Sequence, residues 1–386
     1  MDMKSIMSFP KPMKWLGFLQ RKALSTMLIG GALCAISGLT QVAEAAPPAP
    51  PAPSTLPTGG QVVKGDASIS QAGSTMTINQ TSSRAVVNWN SFNVGQGATV
   101  NFNQPNASAS TLNKVSGGSP SQIYGQIHAN GEVILENQAG VYFSRSASLD
   151  VGSITATSMD IDNDRYMAGG NYAFNRNGAL GKVVNRGTIV TNNPQGYVAL
   201  LAPEVRNGGV IIARLGSVAM ASGEQVTLNF SGAQNLSSIT TTQSAIKTLV
   251  QNQRAGVINA NTIILSAEGL NSLVGGVIRQ NGVLNASTET NQVAMVGGHI
   301  LIQGDDVALG ENSQTLATGN AGGGQISINS SQNIQIKTGA IVNSSAAKGG
   351  NGGSIVTSAP VTNLDGQLIA MGGVDHGNGG LINTCL

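Results

Sequence analysis

Apolar and polar residues alternate with a period of two in short runs along most of this chain. ASISQ at 67–71, TMTIN at 75–79, ATVNF at 98–102, VIL at 133–135 and VTLNF at 226–230 are rich in β-branched residues and bounded by Gly, Asn or Pro. Each reads as a strand. One stretch breaks the pattern. In TQSAIKTLVQNQ, residues 242–253, Ala245, Ile246, Leu249 and Val250 fall at i, i+1, i+4 and i+5, a spacing that predicts one amphipathic helix.

The runs also repeat. Val183, Asn185, Gly187 and Ile189 return 22 residues later as Val205, Asn207, Gly209 and Ile211. GYVAL at 196–200 comes back as GSVAM at 216–220, and Gly-Val-Ile occurs at 209–211, 256–258 and 276–278. Steps of this length mean a solenoid. The turns are too short for a helical crossover, so the strands cannot pair in an ordinary parallel sheet. They pair if the chain coils and each turn lays its strands beside those of the turn before. Rungs then stack about 4.8 Å apart, with apolar side chains in the bore and like residues above like. Asn185 over Asn207 makes a turn ladder whose amides bond along the axis, and Gly187 over Gly209 would allow positive φ beside it. No strict six-residue period is present, which sets aside a left-handed hexapeptide helix. The expected fold is all-β, a parallel β-solenoid with small elements outside the coil.

A second repeat zone fills the tail. GNAGGGQI at 319–326, GNGGSI at 350–355 and GNGGLI at 377–382 recur at steps near 30 residues. The zone 311–386 therefore reads as Gly-rich rungs that stop mid-repeat, a truncated product or a module of a longer protein. The last rung would then expose an uncapped edge carrying Cys385, prone to association and to Cys385-linked dimers under oxidation.

Composition agrees with strands joined by glycine turns. Glycine accounts for 51 of 386 residues, while charged residues are 10% and aromatics 4%. The formal charge of +2 comes from 20 basic and 18 acidic residues, of which five and two lie in residues 1–45. Without that segment the balance is 15 to 16, a net of −1. No basic stripe is left for nucleic acid. The segment itself is a targeting sequence. Lys4, Lys11, Lys14, Arg21 and Lys22 precede an apolar run near 23–39 that three glycines interrupt, and Ala43-Glu44-Ala45 offers a small-x-small cleavage site after Ala45. Leu33 before Cys34 argues against lipidation. Cleavage removes Cys34 and leaves Cys385 without an internal partner, which fits equally a large repetitive core that needs no staples and a chain threaded unfolded through a second membrane. APPAPPAPSTLP follows as a Pro-rich linker over 46–58.

More specific signals cluster at 88–170. The order NWNSFNV, QPN, TLNKV, SQIYG and HANGEVIL, followed by GYVALLAPEVRNGGVI at 196–211, resembles the secretion domain of the filamentous haemagglutinin family, the exoproteins of two-partner secretion. The resemblance spans roughly 59–310. It implies a right-handed parallel β-helix, export through the periplasm of a Gram-negative bacterium and recognition by an outer-membrane β-barrel transporter with periplasmic domains. Folding outside would then bias movement outward. It also implies an adhesin or haemagglutinin, displayed or released, with a host-cell or glycan receptor. The family's Asn-Pro-Asn-Gly turn corresponds here to Asn137-Gln138-Ala139-Gly140, whose two ends match and whose middle differs. A turn with Asn first and Gly last remains a sensible type I turn. Asn106, Asn113, Asn137 and Gly140 are the candidate recognition residues.

Catalysis requires convergent polar groups, and few are visible. His128, His299 and His376 lack metal-ligand spacing, and His299 sits in a strand. Asp160, Asp162 and Asp164 lack the later Gly and Glu of a calcium loop and read as a solvated turn. The glycine clusters fit neither phosphate-binding frame. Arg206 and Arg214 with Glu204 are the nearest approach to a site for a β-helical polysaccharide-acting enzyme, the alternative reading. No enzyme activity, cofactor or metal is expected.

Overall fold

The computed structural model describes residues 49–232, 235–271, 273–288 and 296–385. The targeting segment, with Cys34 and Ala45, lies outside them. One 29-stranded sheet coils into a right-handed parallel β-helix, and a separate three-stranded sheet accompanies it.

The coil has three faces. On the first, Ser121–Ile123, Gly140–Phe143, Lys182–Asn185, Glu204–Asn207, Thr248–Asn252 and Gly276–Gln280 follow one another in parallel register. The second starts with Thr75–Gln80, Thr99–Asn103, Gln126–Ala129, Ser148–Val151 and Thr188–Thr191. The third starts with Arg84–Trp89, Ser110–Val115, Glu132–Asn137, Ser153–Thr157 and Tyr197–Leu201. Longer strands such as Val210–Ser222 and Val257–Ala267 run through the second face into the third.

The repeated phrases are rung neighbours. Val183 pairs with Val205, Asn185 with Asn207, Ile189 with Ile211, and Val198 with Val218. One echo is accidental. Val257 stacks on Val210 and then on Val283, whereas Val277 stacks on Leu249 of the first face. Inside the bore, Val100, Ile127, Leu149, Ile189, Ile211, Ile258 and Leu284 form one buried column along the second face. Each such side chain contributes about 2 kcal/mol through removal from water.

Glycine has a different task from the one expected. Gly187 and Gly209 are absent from the positive-φ residues. They are needed for closeness, because a Cβ on Gly209 would overlap the Gly187 carbonyl oxygen. The same holds at the corner that leads into the third face. A Cβ on Gly216 would strike Gly196 O, and one on Gly353 or Gly380 would strike the carbonyl of the glycine one rung below. The Gly-rich tail is therefore a corner column, continuous with the repeat zone before it.

The first rung is closed by antiparallel pairing: Gln61–Lys64 lies on Arg84–Trp89, and Ala67–Ala72 forms a hairpin with Thr75–Gln80. The end of the Pro-rich stretch joins this cap. Leu56 is buried in the core, and Gly95 and Gly97 donate to Thr55 O and Pro53 O.

The expected helix over 242–253 is a correction. Thr248–Asn252 is a strand of the first face, with Val250 in the bore and Leu249 outward. Its apolar spacing arises because Ile246 belongs to the preceding loop, so two unrelated segments mimic a helical stripe. The helix lies elsewhere, at Asn163–Ala168. With Tyr172–Asn175 it leaves the coil after the third face. Strands Gln225–Phe230 and Leu236–Thr241 leave it later, and the three strands form an antiparallel sheet. That layer covers the outer side of the third face, over Val86, Leu112, Ile134, Ala199 and Ala219. Strands there are buried on both sides, so Glu132–Asn137 and Tyr197–Leu201 have no exposed residue.

Candidate functional site

The candidate recognition residues do not share one surface. Asn106 is exposed in the corner between the second and third faces, where its Oδ1 accepts from Ser108 N at 2.9 Å. Asn113 points into the bore. It accepts from Trp89 Nε1 at 3.0 Å and donates to Ile134 O. Asn137 is buried at the end of its strand, donating to Ser119 O at 3.0 Å and Ser121 Oγ at 2.9 Å while accepting from Ala139 N at 2.9 Å. Gly140 has φ of 112°, and a Cβ there would press on the Lys182 backbone. Asn137 and Gly140 thus shape the turn between the third and first faces from inside. Gln138 is the exposed residue, beside a half-buried Ala139.

That turn rims a cleft of about 490 Å³ lined by Asn88, Lys114, the 116–118 loop, Glu136 and Asp160. Alternation explains the floor. Asn137 faces the bore, so Glu136 faces out, aligned with Asn88 and Lys114 on neighbouring strands. Lys114 Nζ lies 2.7 Å from Asp160 Oδ1 and 3.4 Å from Glu136 Oε1, and it donates to Ile161 O at 2.8 Å. Burial pushes the Glu136 carboxyl up to about 8; Lys114 opposes this and the Asp160 charge adds to it. Asp160 is also penalised by burial, but its hydrogen bond and charge interaction with Lys114 take it below the usual range.

Of the three aspartates, Asp162 and Asp164 are solvated as expected, but at the start of a helix and not in a simple turn, and Asp160 is half-buried. Asp160 binds Lys114, Asp162 caps the helix by accepting from Asp164 N and Arg165 N, and Asp164 pairs with Lys64. Acidic side chains at a helix start satisfy its free N–H groups, which accounts for the spacing.

A second cluster was missed in the sequence. Glu132 is fully buried under the outer layer, accepting from Tyr197 OH and from Tyr172 OH at 3.1 Å. Arg84 donates to Tyr172 OH, and Tyr166 OH donates to Ser110 Oγ. Burial raises the Glu132 pKa, against the hydrogen bonds of Ser110 and Tyr197 and the charge of Arg84. The knot ties the layer to strands Arg84–Trp89, Ser110–Val115, Glu132–Asn137 and Tyr197–Leu201, with Glu132 sealed from solvent and Arg84 half-buried at its edge.

The turn ladder is present and longer than expected. Asn185 donates to Asn207 at 2.8 Å, Asn207 to Asn252 at 2.9 Å, and Asn252 to Gln280 at 2.9 Å. Asn252 lay in the stretch read as helix. Glu204 is engaged by Lys182 at 2.8 Å and Arg206 at 2.7 Å on the first face, and Arg214 lies within Val210–Ser222. His128 contacts Gln126, while His299 and His376 lie on distant rungs.

Comparison with known proteins now bears on this geometry. Residues 54–288 match the TPS secretion domain model. Two heme/hemopexin-binding proteins of Haemophilus influenzae are 33% and 31% identical, over 263 and 259 residues, or 67% and 62% of this chain. The matches span 28% and 27% of those relatives. Among solved structures, the HMW1 secretion domain from Haemophilus influenzae superposes with a TM-score of 0.65 at 25% identity, covering 86% of this chain and 96% of that one. The rungs up to residue 288, the outer layer and the 137–140 corner fall in the matched region, and the chain belongs to the TPS secretion domain family, that of two-partner secretion exoproteins.

Proposed function

We propose that an outer-membrane β-barrel transporter with periplasmic domains engages this chain at the 137–140 corner. The exported protein is then displayed or released as an adhesin of the haemagglutinin type, and it has no catalytic role. The observation that carries the reading is the division of labour in that corner. Asn137 and Gly140 are spent on holding the turn, while Gln138 is presented at the rim of an open cleft. Asn113 and Asn137 act by positioning, and Asn106 marks a separate exposed corner. The polysaccharide-acting alternative is less suited, because the Glu204 carboxylate is already paired with Lys182 and Arg206. The ligand in the relatives' names belongs to proteins of which this chain matches 28% or less.

The test compares export into the medium with the melting temperature of the same purified variant. Gln138→Asp alters the presented side chain and should reduce export without lowering stability. Asn137→Ala should lower both, since it removes the three hydrogen bonds of a buried side chain. Normal export of Gln138→Asp and of Ala139→Glu would refute recognition at this corner.

A further inference from the structure

The cleft at the 137–140 corner has more acceptors than donors. Two carboxylates, Glu136 and Asp160, share the single ammonium of Lys114. Lys114 comes from Ser110–Val115, and Asp160 from the segment after Ser153–Thr157. The strand Ser153–Thr157 itself places the uncharged Thr157 beside Glu136. The helix Asn163–Ala168 contributes Asn163 to the same lining, and its Oδ1, shut off from solvent, takes no donor. Asp160 Oδ2 receives Asn177 Nδ2 at 3.2 Å, and Ile161 N reaches Glu136 Oε2 at 3.3 Å. A proton on Glu136, hydrogen-bonded to Asp160, closes this balance, and once that proton leaves the cleft is one cation short.

We propose that the cleft receives a cationic side chain, best a guanidinium, from an extended segment of the transporter's periplasmic part. The proposal rests on the reading that the transporter engages this corner. A planar fork of N–H donors matches the oxygens of a carboxylate and gives more donors than the one ammonium of Lys114. In the free protein Glu136 carries a proton well into neutral pH. The arriving cation takes the place of that proton, which leaves to solvent, so binding tightens as pH rises.

The test uses the purified chain and a blocked Ala-Arg-Ala tripeptide, with its citrulline counterpart as the uncharged control. The arginine peptide should bind saturably, shifting the backbone amides of 116–118 and 138–139, and the citrulline peptide should bind at least about tenfold more weakly. Affinity should rise by at least about tenfold between pH 6.5 and 8.5. Glu136→Gln should abolish that dependence; if it melts early, Asp160→Asn serves instead, with weaker binding expected. Equal binding of the two peptides, or shifts elsewhere, would overturn the proposal. If no peptide binds while export still depends on Gln138, the cation is wrong and the transporter reading stands. If the peptide binds but Glu136→Gln is exported normally, the transporter is not the occupant.

Discussion

Replacing Asn207 with Ala probes whether the buried amide ladder supports the rungs. Asn207 is fully buried, accepts from Asn185 Nδ2 at 2.8 Å and Gly209 N at 3.3 Å, and donates to Asn252 Oδ1 at 2.9 Å. Alanine removes all three bonds and leaves three unmatched groups in the corner. Each orphaned buried group costs about 1–3 kcal/mol, and Asn185 recovers little because its other contact, Gly187 O, is at 3.4 Å. The expected loss is about 3–6 kcal/mol, against about 1 kcal/mol or less for Asn106→Ala in an exposed turn. Urea unfolding followed by circular dichroism and by fluorescence of Trp89, which is buried in the early rungs, measures both. Because each rung leans on its neighbours, the opening can be local, and then the amides of 185–211 exchange first while Trp89 stays protected. Asn185→Ala combined with Asn207→Ala should cost less than the sum of the two, since they break the same bond. A loss for Asn207→Ala no larger than for Asn106→Ala would show that water replaces the ladder, and the reasoning would fail.

Thr315 interrupts the aliphatic column between Leu284 and Val342 with a buried hydroxyl that has no partner, so Thr315→Val should stabilise by about 1 kcal/mol in the same urea assay. Gly216→Ala should destabilise strongly or prevent folding, whereas Gly118→Ala, with open space around its Cβ position, should shift the melting temperature little. Glu136 titrates at about 8 in the folded chain against 4.5 ordinarily. Its contribution is therefore complete below the ordinary value and is lost as pH rises toward 8, by up to about 1.4 kcal/mol per unit. Glu136→Gln should flatten that decline in melting curves between pH 5 and 8, and an unchanged slope would place the titrating group elsewhere.

Residues that act on their own rung were legible. The V-x-N-x-G-x-I phrase carried its register because identical residues stack, and the apolar alternation marked the bore. Two kinds of feature were not. The reason for glycine at 187 and 209 could not be read, since a need for positive φ and a need for a missing Cβ leave the same letter in the sequence. The 242–253 stretch misled because the end of a loop and the start of a strand placed apolar residues at helical spacing. Asn252 had a strand partner 45 residues back at Asn207, a distance no local pattern reports.

The outer layer did leave a trace, in strands that stop alternating. YVALL at 197–201 and SVAMA at 217–221 carry small or apolar residues at every position. A one-sided rung exposes every second side chain, so a continuous apolar run on a coil with a filled bore requires a second cover. Tyr172–Asn175, Gln225–Phe230 and Leu236–Thr241 supply it, and Val226-Thr-Leu-Asn-Phe, a correct strand assignment, turns out to belong to this cover and not to a rung. The same argument reaches the charges. Once both sides of the third face are closed, Glu132 and Glu136 in EVILEN must lie at the two edges of the apolar Ile134 column, four residues apart on one side of the strand. One edge is sealed by Tyr172 and Tyr197, and the other opens into the cleft beside Gln138. Of two glutamates in one short strand, the layer makes one a structural knot and leaves the other facing any partner that reaches the corner.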